Sequence, residues 1–296
     1  MSAATTQPKL QLSLKNILFA TDFSAASEAA LPYALDLAQK YGSKVFVTHV
    51  IEPIANIGIP LDPLPAEEIE VRAEAGEKMR RLTQNVSFGG VPHEELLRRG
   101  YIWDVLKGVI AERKIDLLVV GTHGRPGLAV LILGSIAEEI LRKSPIPVMT
   151  IGPHVRPFSV DHSRLRTVLF ATDFSEGSAR ALPYAYSIAK ENDARIIALH
   201  MVRAVIAEGV DFTSEAVQSA EHQLRDFVPH IPGCNIEYMV RTDSAGDGIL
   251  AVAREEHADL IVMGTHAGSA VSAHVPWATA HQVVAHADCP VLSLRW

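Results

Sequence analysis

The chain contains one sequence unit twice, and this repeat limits the folds that are open to it. Residues 18–34 read LFATDFSAASEAALPYA and residues 169–185 read LFATDFSEGSARALPYA, with 13 of 17 positions identical. Two later Gly-rich segments also align, GTHGRPGLAVLILGS from Gly121 and GTHAGSAVSAHVPWA from Gly264. Only the first of these keeps a complete glycine pattern. The repeat therefore predicts two similar domains that differ in function.

Each copy has the same order of apolar and helical segments. The apolar runs are 16–20, 45–51, 116–121 and 147–151 in the first copy, and 167–171, 196–202, 259–264 and 290–294 in the second. Short apolar runs without alternation are typical of strands buried on both faces. Helical patterns lie between them, among them 66–84 and 213–227. The order predicts right-handed crossovers and parallel sheets in an α/β fold.

The segment GPHVRPFSVDHSR between the copies has two prolines and no periodicity, which is typical of a linker. We therefore predict a first domain over residues 1–152, a linker over 153–163 and a second domain over 164–296. A chain of 296 residues is long enough for two domains with substantial cores. The second copy is shorter in its central helical region, where insertions and deletions cost little.

Composition favours a cytoplasmic protein. A net charge of −7 argues against a nucleic-acid or anionic-membrane partner, because both require a basic surface. Two cysteines, Cys234 and Cys289, provide no disulfide framework and suit a reducing compartment. The N-terminal stretch is polar, and the apolar run at 128–134 is far shorter than the ~20 residues that span a bilayer.

The pattern Gly121-x2-Gly124-x9-Gly134-Ser135 lies between a predicted strand and a predicted helix. Glycines at the carboxyl end of such a strand let backbone N–H groups approach phosphate oxygens, and the helix N-terminus adds its dipole. A purely structural explanation is also open. In that case Gly121 forms a tight turn, and Ser135 caps the helix in a capping box with Glu138.

The TDFS after the first strand, the His-Val-Ile that ends the second, and the G-x2-G-x9-G-S after a later strand resemble the universal stress protein family. The resemblance covers both copies. It implies two tandem α/β domains, each an open-twisted five-stranded parallel sheet of the Rossmann-like, adenine nucleotide α hydrolase-like type. Family members commonly pair through the final strand, which implies a pseudo-dimer in which 147–151 and 290–294 pair within the chain. Association into a homodimer is left open.

The resemblance to the ATP-binding branch of the family also implies a nucleotide site in the first domain. Asp22 and Val50 would contact adenine, with Thr21 nearby. A phosphate and ribose cradle would follow, consisting of Gly121, Gly124, Gly134 and Ser135 and flanked by Val120, Arg125 and Ile136. The expected cofactor is ATP, alone or with Mg²⁺. Alternative roles remain open, since Asp22 could cap the first helix and Arg125 could be solvated.

The second copy departs from this pattern in its loop. Ala267 replaces the second glycine, and Trp277 and Ala278 stand where the first copy has Gly134 and Ser135. A tryptophan in place of a phosphate-contacting glycine fills the cradle and prevents close backbone approach. Thr279-x-x-Gln282 offers a capping box one position later. We therefore predict no ATP in the second domain, although an adenine-sized pocket could survive.

Histidines are concentrated in the second copy, where eight of thirteen lie between His200 and His286. No spacing among them completes a metal site, so none is predicted. His49 and His200 are equivalent in the two copies. They are predicted to have one shared structural role at a strand end.

Motifs for catalysis are absent from the sequence. It contains no G-x-x-x-x-G-K-[ST] and no G-x-S-x-G. The leading hypothesis is therefore an ATP-binding regulatory or stress-response protein that is not an enzyme, with at most weak ATPase activity. Two alternatives remain: a slow ATP hydrolase or phosphotransferase, and an interaction scaffold without ligand.

Overall fold

The computed structural model describes residues 12–53, 66–122, 133–159, 164–203, 206–207, 210–211, 213–265 and 275–295. The chain divides into two compact units. The first unit is Leu14–Ile151, and the second contains the residues from Gly152 onward.

The first unit is a parallel sheet with helical crossovers. Its elements are β1 (Asn16–Ala20), α1 (Ala25–Glu28), α2 (Leu31–Tyr41), β2 (Lys44–Ile51), α3 (Ala66–Asn85), β3 (His93–Arg99), α4 (Ile102–Arg113), β4 (Leu117–Gly121), α5 (Ser135–Lys143) and β5 (Val148–Ile151). The strands pair in the order β3-β2-β1-β4-β5, always in parallel. Strand order therefore reverses between β1 and β4, which is where open α/β sheets bind ligands.

The second unit repeats this plan. Its elements are β6 (Thr167–Ala171), α6 (Glu176–Asn192), β7 (Arg195–Val202), β8 (Ile206–Ala207), β9 (Val210–Asp211), α7 (Thr213–Phe227), β10 (Asn235–Thr242), α8 (Ala245–Glu255), β11 (Leu260–Thr265), α9 (Val275–His286) and β12 (Val291–Arg295). Five strands pair in parallel in the order β10-β7-β6-β11-β12, and β8 and β9 form a small antiparallel ribbon. The predicted fold class, two tandem five-stranded parallel sheets, is confirmed. The pairing of the two closing strands stays a prediction.

The central strands are buried on both faces. Ile17, Leu18 and Phe19 of β1 have no exposed surface, and the same is true of Val168, Leu169 and Phe170 of β6. Successive side chains on a strand point to opposite faces. Three consecutive buried residues therefore require helices on both sides of the sheet, as the unbroken apolar runs predicted.

Each sheet has one strand that does not correspond to any of the four apolar runs in its half of the sequence. These strands are β3 in the first unit and β10 in the second. Each is an edge strand that pairs with one neighbour, β2 or β7. In β3, with the sequence HEELLRR, only Leu96 is buried. Edge strands carry charged side chains because one long side faces solvent. The apolar signal used to locate the other strands therefore could not locate these two.

The helices cover the sheets with one apolar side each. In α2 the buried residues are Leu31, Ala34, Leu35, Leu37 and Ala38. They include the i, i+3, i+4, i+7 spacing of an amphipathic helix. Within the part of the chain that the structure describes, no helix is both long and apolar enough to cross a bilayer.

The two units fill one equivalent space with different side chains. In the second unit Met201 of β7 lies against Gly248 of α8, so that a Cβ atom at Gly248 would overlap the Met201 methyl. The matching positions of the first unit hold Val50 in β2 and Val105 in α4. The second unit thus combines a long side chain, Met201, with a glycine, whereas the first unit combines two valines of medium size.

This exchange predicts a strong coupling between two substitutions. Gly248→Val alone should destabilise the second unit by about 1–2 kcal/mol through overpacking. Met201→Val alone should cost about 1 kcal/mol through the gap it leaves. The double variant recreates the valine pair of the first unit and should unfold within about 0.5 kcal/mol of wild type, as measured by hydrogen exchange of β7 and α8. Additive losses in the double variant would contradict the explanation.

Candidate functional site

The described candidate residues meet at the carboxyl edge of the first sheet. Thr21 and Asp22 follow β1, Val50 lies near the end of β2, and Val120 and Gly121 end β4. These three strands are neighbours in the sheet. The start of α5 joins them, because the Gly134 N–H donates to the Thr122 carbonyl at 3.0 Å. Gly124 and Arg125 lie outside the described residues.

The TDFS sequence forms a tight turn that leaves the sheet. The Phe23 N–H donates to the Thr21 hydroxyl at 2.9 Å, and the ring Nδ1 of His49 is 2.8 Å from the Thr21 carbonyl oxygen. Phe23 has a φ of +61°, which is costly for a residue with a side chain. Its ring packs on His49 with centroids 4.3 Å apart. These contacts hold the strained turn in place.

The structure resolves the alternative role of Asp22. Helix α1 is capped by Ser24, whose hydroxyl accepts from the Ser27 N–H at 3.2 Å. The Asp22 carboxylate accepts from the Ser24 N–H at 3.0 Å, so it braces the capping residue and is not the cap itself. Asp22 is exposed. Its carboxylate therefore remains accessible at the sheet edge.

The second unit contains the same turn with one difference. The His200 ring Nδ1 is 2.8 Å from the Thr172 carbonyl oxygen, and Phe174 has a φ of +62°. The predicted shared role of His49 and His200 is thus confirmed. However, the Asp173 carboxylate also accepts from the Ser178 hydroxyl at 2.7 Å. The equivalent Ser27 hydroxyl instead bonds the Thr21 hydroxyl at 2.9 Å.

Ser27 has a positioning role that sequence reasoning did not assign. It is buried and joins the TDFS turn to the start of α1. The available signal was its presence in both copies of the repeat, where Ser27 matches Ser178.

The turn leaves backbone groups of Val50 without a strand partner. Hydrogen bonds along β2 alternate between its neighbours: Lys44 and Thr48 bond toward β1, and Val45 and Ile51 bond toward β3. By this alternation the N–H and C=O of Val50 face the β1 side. The pairing of β1 with β2 ends at Ala20 and Thr48.

The groups that would extend this ladder are used elsewhere. The Thr21 carbonyl accepts from the His49 ring, and the Phe23 N–H donates to the Thr21 hydroxyl. Within the described residues, Val50 therefore presents one donor and one acceptor with no protein partner. Half-buried backbone groups need a hydrogen-bonding partner, from solvent or from a ligand. One donor beside one acceptor complements the hydrogen-bonding edge of a planar heterocycle.

Gly121 has a packing role that is independent of any ligand. A Cβ atom at this position would lie 2.5 Å from the Ala26 carbonyl oxygen of α1. A Cβ atom at the equivalent Gly264 would overlap the peptide bond between Gly177 and Ser178. The close approach of the first helix to the strand end thus explains why both copies keep this glycine, including the copy with the eroded loop.

The start of α5 differs from the structural alternative drawn from the sequence. The helix begins at Ser135, but its capping position is Gly134, so the predicted capping box of Ser135 and Glu138 is wrong. Glu138 instead pairs with Arg142 at 3.7 Å. Ser135 is exposed in the first helical turn, and Ile136 beside it is half-buried. A hydroxyl at this position is available to a ligand at the helix N-terminus.

The corresponding helix of the second unit starts earlier. Helix α9 begins at Val275, so Thr279 lies within it and the predicted capping box of Thr279 and Gln282 is wrong. Gln282 donates instead to the Asp247 carboxylate of α8 at 2.5 Å. Trp277 is the third residue of the helix, whereas the matching Gly134 precedes α5. The helix N-terminus is therefore placed differently in the sequence of the two units.

Two of the clustered histidines lie in α9. The His286 ring Nδ1 is 2.9 Å from the Gln282 carbonyl oxygen of the same helix. His266 and His274 lie outside the described residues. Among the residues that are described, no group of three or more histidine, cysteine or acidic side chains is arranged to hold a metal ion.

Burial lowers the pKa of His49, because the imidazolium loses solvation; its bond to Thr21 and the charge of Asp22 only partly oppose this. The neutral ring is therefore favoured in the folded state. A lowered pKa means that the unfolded state binds the proton more tightly. The stabilisation by neutral His49 is complete above the unfolded pKa of about 6.5 and decreases as pH falls below it.

Accordingly, the folding free-energy difference between wild type and His49→Gln should shrink as pH falls from 7 to 5. Its size at neutral pH should be about 1 kcal/mol, the typical worth of one hydrogen bond. Urea unfolding at several pH values, together with an NMR titration of the His49 ring, would measure both quantities. A constant difference, or a His49 midpoint above 6.5, would refute the assignment.

Both units match one known protein family. The model of the universal stress protein family matches residues 13–152 and again residues 164–295. The chain is thus a tandem α/β protein, in which each unit has a TDFS turn where the strand order of its sheet reverses. The chain belongs to the universal stress protein family.

Similar proteins include single-domain and full-length relatives. A universal stress protein of Thermus aquaticus is 32% identical over 139 residues, which is 46% of this chain and 98% of the relative. One of Mycolicibacterium smegmatis is 24% identical over 94% of this chain and 96% of its own. The crystal structure of a universal stress protein from Archaeoglobus fulgidus covers 96% of this chain and 99% of its own, with 23% identity and a TM-score of 0.70, which shows the tandem fold.

Proposed function

We propose that this universal stress protein binds ATP in its first unit and acts as a nucleotide-dependent regulatory protein. The observation that carries the proposal is the N–H and C=O of Val50 beside the end of β1, which have no protein partner among the described residues. Adenine has an acceptor, N1, beside a donor, the N6 amino group. These two groups complement a backbone N–H and C=O on one residue. The exposed Asp22 lies at the end of the adjacent strand and contributes a further acceptor.

The phosphate end of the site is proposed at the start of α5. Helix N-termini bind anions because their N–H groups are unpaired and the dipole favours negative charge. The exposed Ser135 hydroxyl is in the first turn, and Gly134 precedes it without a side chain. Gly121 and Gly124 complete the proposed cradle, flanked by Val120, Arg125 and Ile136, and Thr21 is proposed to lie near the adenine. Mg²⁺ is proposed only as a companion of the bound triphosphate.

The second unit is proposed not to bind ATP. It keeps the turn that frees the backbone of Met201, since Thr172 bonds His200 as Thr21 bonds His49. Its Gly-rich loop, however, has Ala267, Trp277 and Ala278 in place of the glycines and serine. Helix α9 also begins before the position that matches Ser135. These differences support one triphosphate site per chain.

Binding without appreciable turnover is the proposed activity. A bound nucleotide changes a regulatory protein only if it has unequal affinity for two conformations. The segment from Leu117 to Ile140 contains β4 and the start of α5, so we propose it as the responsive element. Release of inorganic phosphate, measured with and without Mg²⁺, separates this proposal from a slow hydrolase. Steady release that Ser135→Ala reduces would favour the hydrolase.

Calorimetric titration of ATP tests the site. Ser135→Ala should weaken ATP about tenfold, because a hydrogen bond to a charged phosphate is worth about 1.5 kcal/mol or more. Thr279→Ala, in the matching helix of the second unit, should leave the affinity unchanged. Equal ATP affinity in wild type and Ser135→Ala would remove Ser135 from the site. A wild-type chain that does not bind ATP would refute the proposed function.

A further inference from the structure

Arg98 lies beside the proposed adenine position and has no established role. In the register of β2 and β3 it is directly opposite Val50. Its side chain is half-buried. Within the described part of the chain, its guanidinium forms no hydrogen bond or ion pair. A partly desolvated cation without a partner is unfavourable unless something else contacts it.

The carboxylate of Glu94, which lies on the same face of β3, does not explain Arg98. Glu94, four residues earlier on β3, is already bonded to Lys44 at 2.6 Å and to Arg113 at 2.9 Å. Hydrogen bonding from Lys44 is the main reason why the pKa of Glu94 is lowered, and Arg98 adds only a smaller electrostatic contribution. Glu94 is thus already paired with two other cations, and it interacts only weakly with Arg98.

The register also fixes the side of the sheet on which Arg98 lies. Residues paired across parallel strands point to the same face, so Arg98 and Val50 share a face with Glu94 and Phe46. Arg113 of α4 contacts both Glu94 and the Phe46 ring, which places this face under α4. Arg98 is at the carboxyl end of this face, near the residues that begin α4.

We propose that Arg98 lays its guanidinium on the face of the adenine ring bound at Val50, which makes it a base-binding residue of the first unit. The inference rests on the proposed ATP site. An adenine whose edge pairs with the Val50 backbone would lie in the plane of the sheet, beyond the end of β1 and in line with that strand. The axes of β1 and β3 are two strand spacings apart, about 9.5 Å. The long side chain of Arg98 can cross much of that distance by passing over the short Val50 side chain. Arginine favours such aromatic faces because its guanidinium is planar, cationic and weakly hydrated.

The second unit provides a matched control. Arg241 of β10 is opposite Met201 in the same register. There the longer Met201 side chain lies against Gly248 of α8. Arg241 is exposed, whereas Arg98 is half-buried. The same residue type thus occurs in both copies, but only in the first copy is it half-buried and opposite a valine.

The test compares ATP and adenosine binding by calorimetry in wild type, Arg98→Gln, Arg98→Lys and Arg241→Gln. A base contact predicts that Arg98→Gln weakens both ligands by the same factor, about tenfold. Arg98→Lys keeps the charge but loses the planar group and should recover part of this loss. Arg241→Gln should bind as wild type. Unchanged thermal unfolding of the ligand-free variants would exclude a folding defect as the cause.

The possible outcomes separate the inference from the function on which it rests. A loss for ATP with none for adenosine would place Arg98 at the phosphates and overturn the base contact. Normal ATP binding by Arg98→Gln would overturn the inference alone. If wild type binds neither ligand, the proposed ATP site fails, and the role of Arg98 fails with it.

Discussion

Replacing Gly264 with alanine should destabilise the second unit as strongly as Gly121→Ala destabilises the first, by about 3 kcal/mol in each case. The added methyl group at Gly121 would meet the Ala26 carbonyl oxygen at 2.5 Å, and at Gly264 it would overlap the Gly177–Ser178 peptide. Both obstacles are backbone atoms, which cannot move aside by rotation of a side chain. Relief therefore requires the whole helix to shift away from the strand end.

The result distinguishes two explanations of the same glycine. If Gly264 were only the remnant of a lost phosphate loop, alanine would be tolerated there and harmful only at Gly121. Hydrogen exchange of the β4 and β11 amides measures each unit separately, which matters because a two-domain chain need not unfold in one step. Gly76→Ala and Gly108→Ala are matched controls, since a Cβ atom at these helical glycines meets nothing within 4 Å. Both should be neutral or stabilising.

ATP should bind the first unit about a hundredfold more tightly than GTP. Guanine presents a donor at N1 and an acceptor at O6, the reverse of adenine. The N1 donor would face the Val50 N–H, and the O6 acceptor would face the Val50 C=O. Leaving a buried donor or acceptor unpaired costs about 1–3 kcal/mol, and two such losses amount to about a hundredfold in affinity. A pocket built from backbone groups cannot adapt by changing a rotamer, so the discrimination should persist in side-chain variants around it.

Inosine triphosphate separates the causes of this discrimination. It has the hydrogen-bonding edge of guanine at N1 and O6 but lacks the 2-amino group. If the Val50 backbone reads the base, inosine triphosphate should bind as weakly as GTP in competition calorimetry. Binding as tight as that of ATP would instead attribute the GTP defect to the bulk of the 2-amino group and would contradict the assignment of Val50.

Much of the fold was predictable from local sequence, and the exceptions share a cause. The unbroken apolar runs located β1 and β6 at Asn16–Ala20 and Thr167–Ala171, because burial on both faces leaves no room for polar side chains. The apolar pattern did not locate the edge strands β3 and β10, because many of their side chains are exposed to solvent. Both predicted capping boxes were wrong, because a capping position depends on where the preceding loop delivers the chain.

The repeated sequence by itself determined that this chain builds two α/β units of one family with a TDFS turn in each, because hydrophobic pattern and turn chemistry act over a few neighbouring residues. Tertiary structure decided what the residues of those motifs do. The Val50 backbone is open only because His49 and the Thr21 hydroxyl occupy the groups that would have paired with it. Gly121 is required by the approach of α1, which is a contact between segments about 95 residues apart that no local pattern specifies.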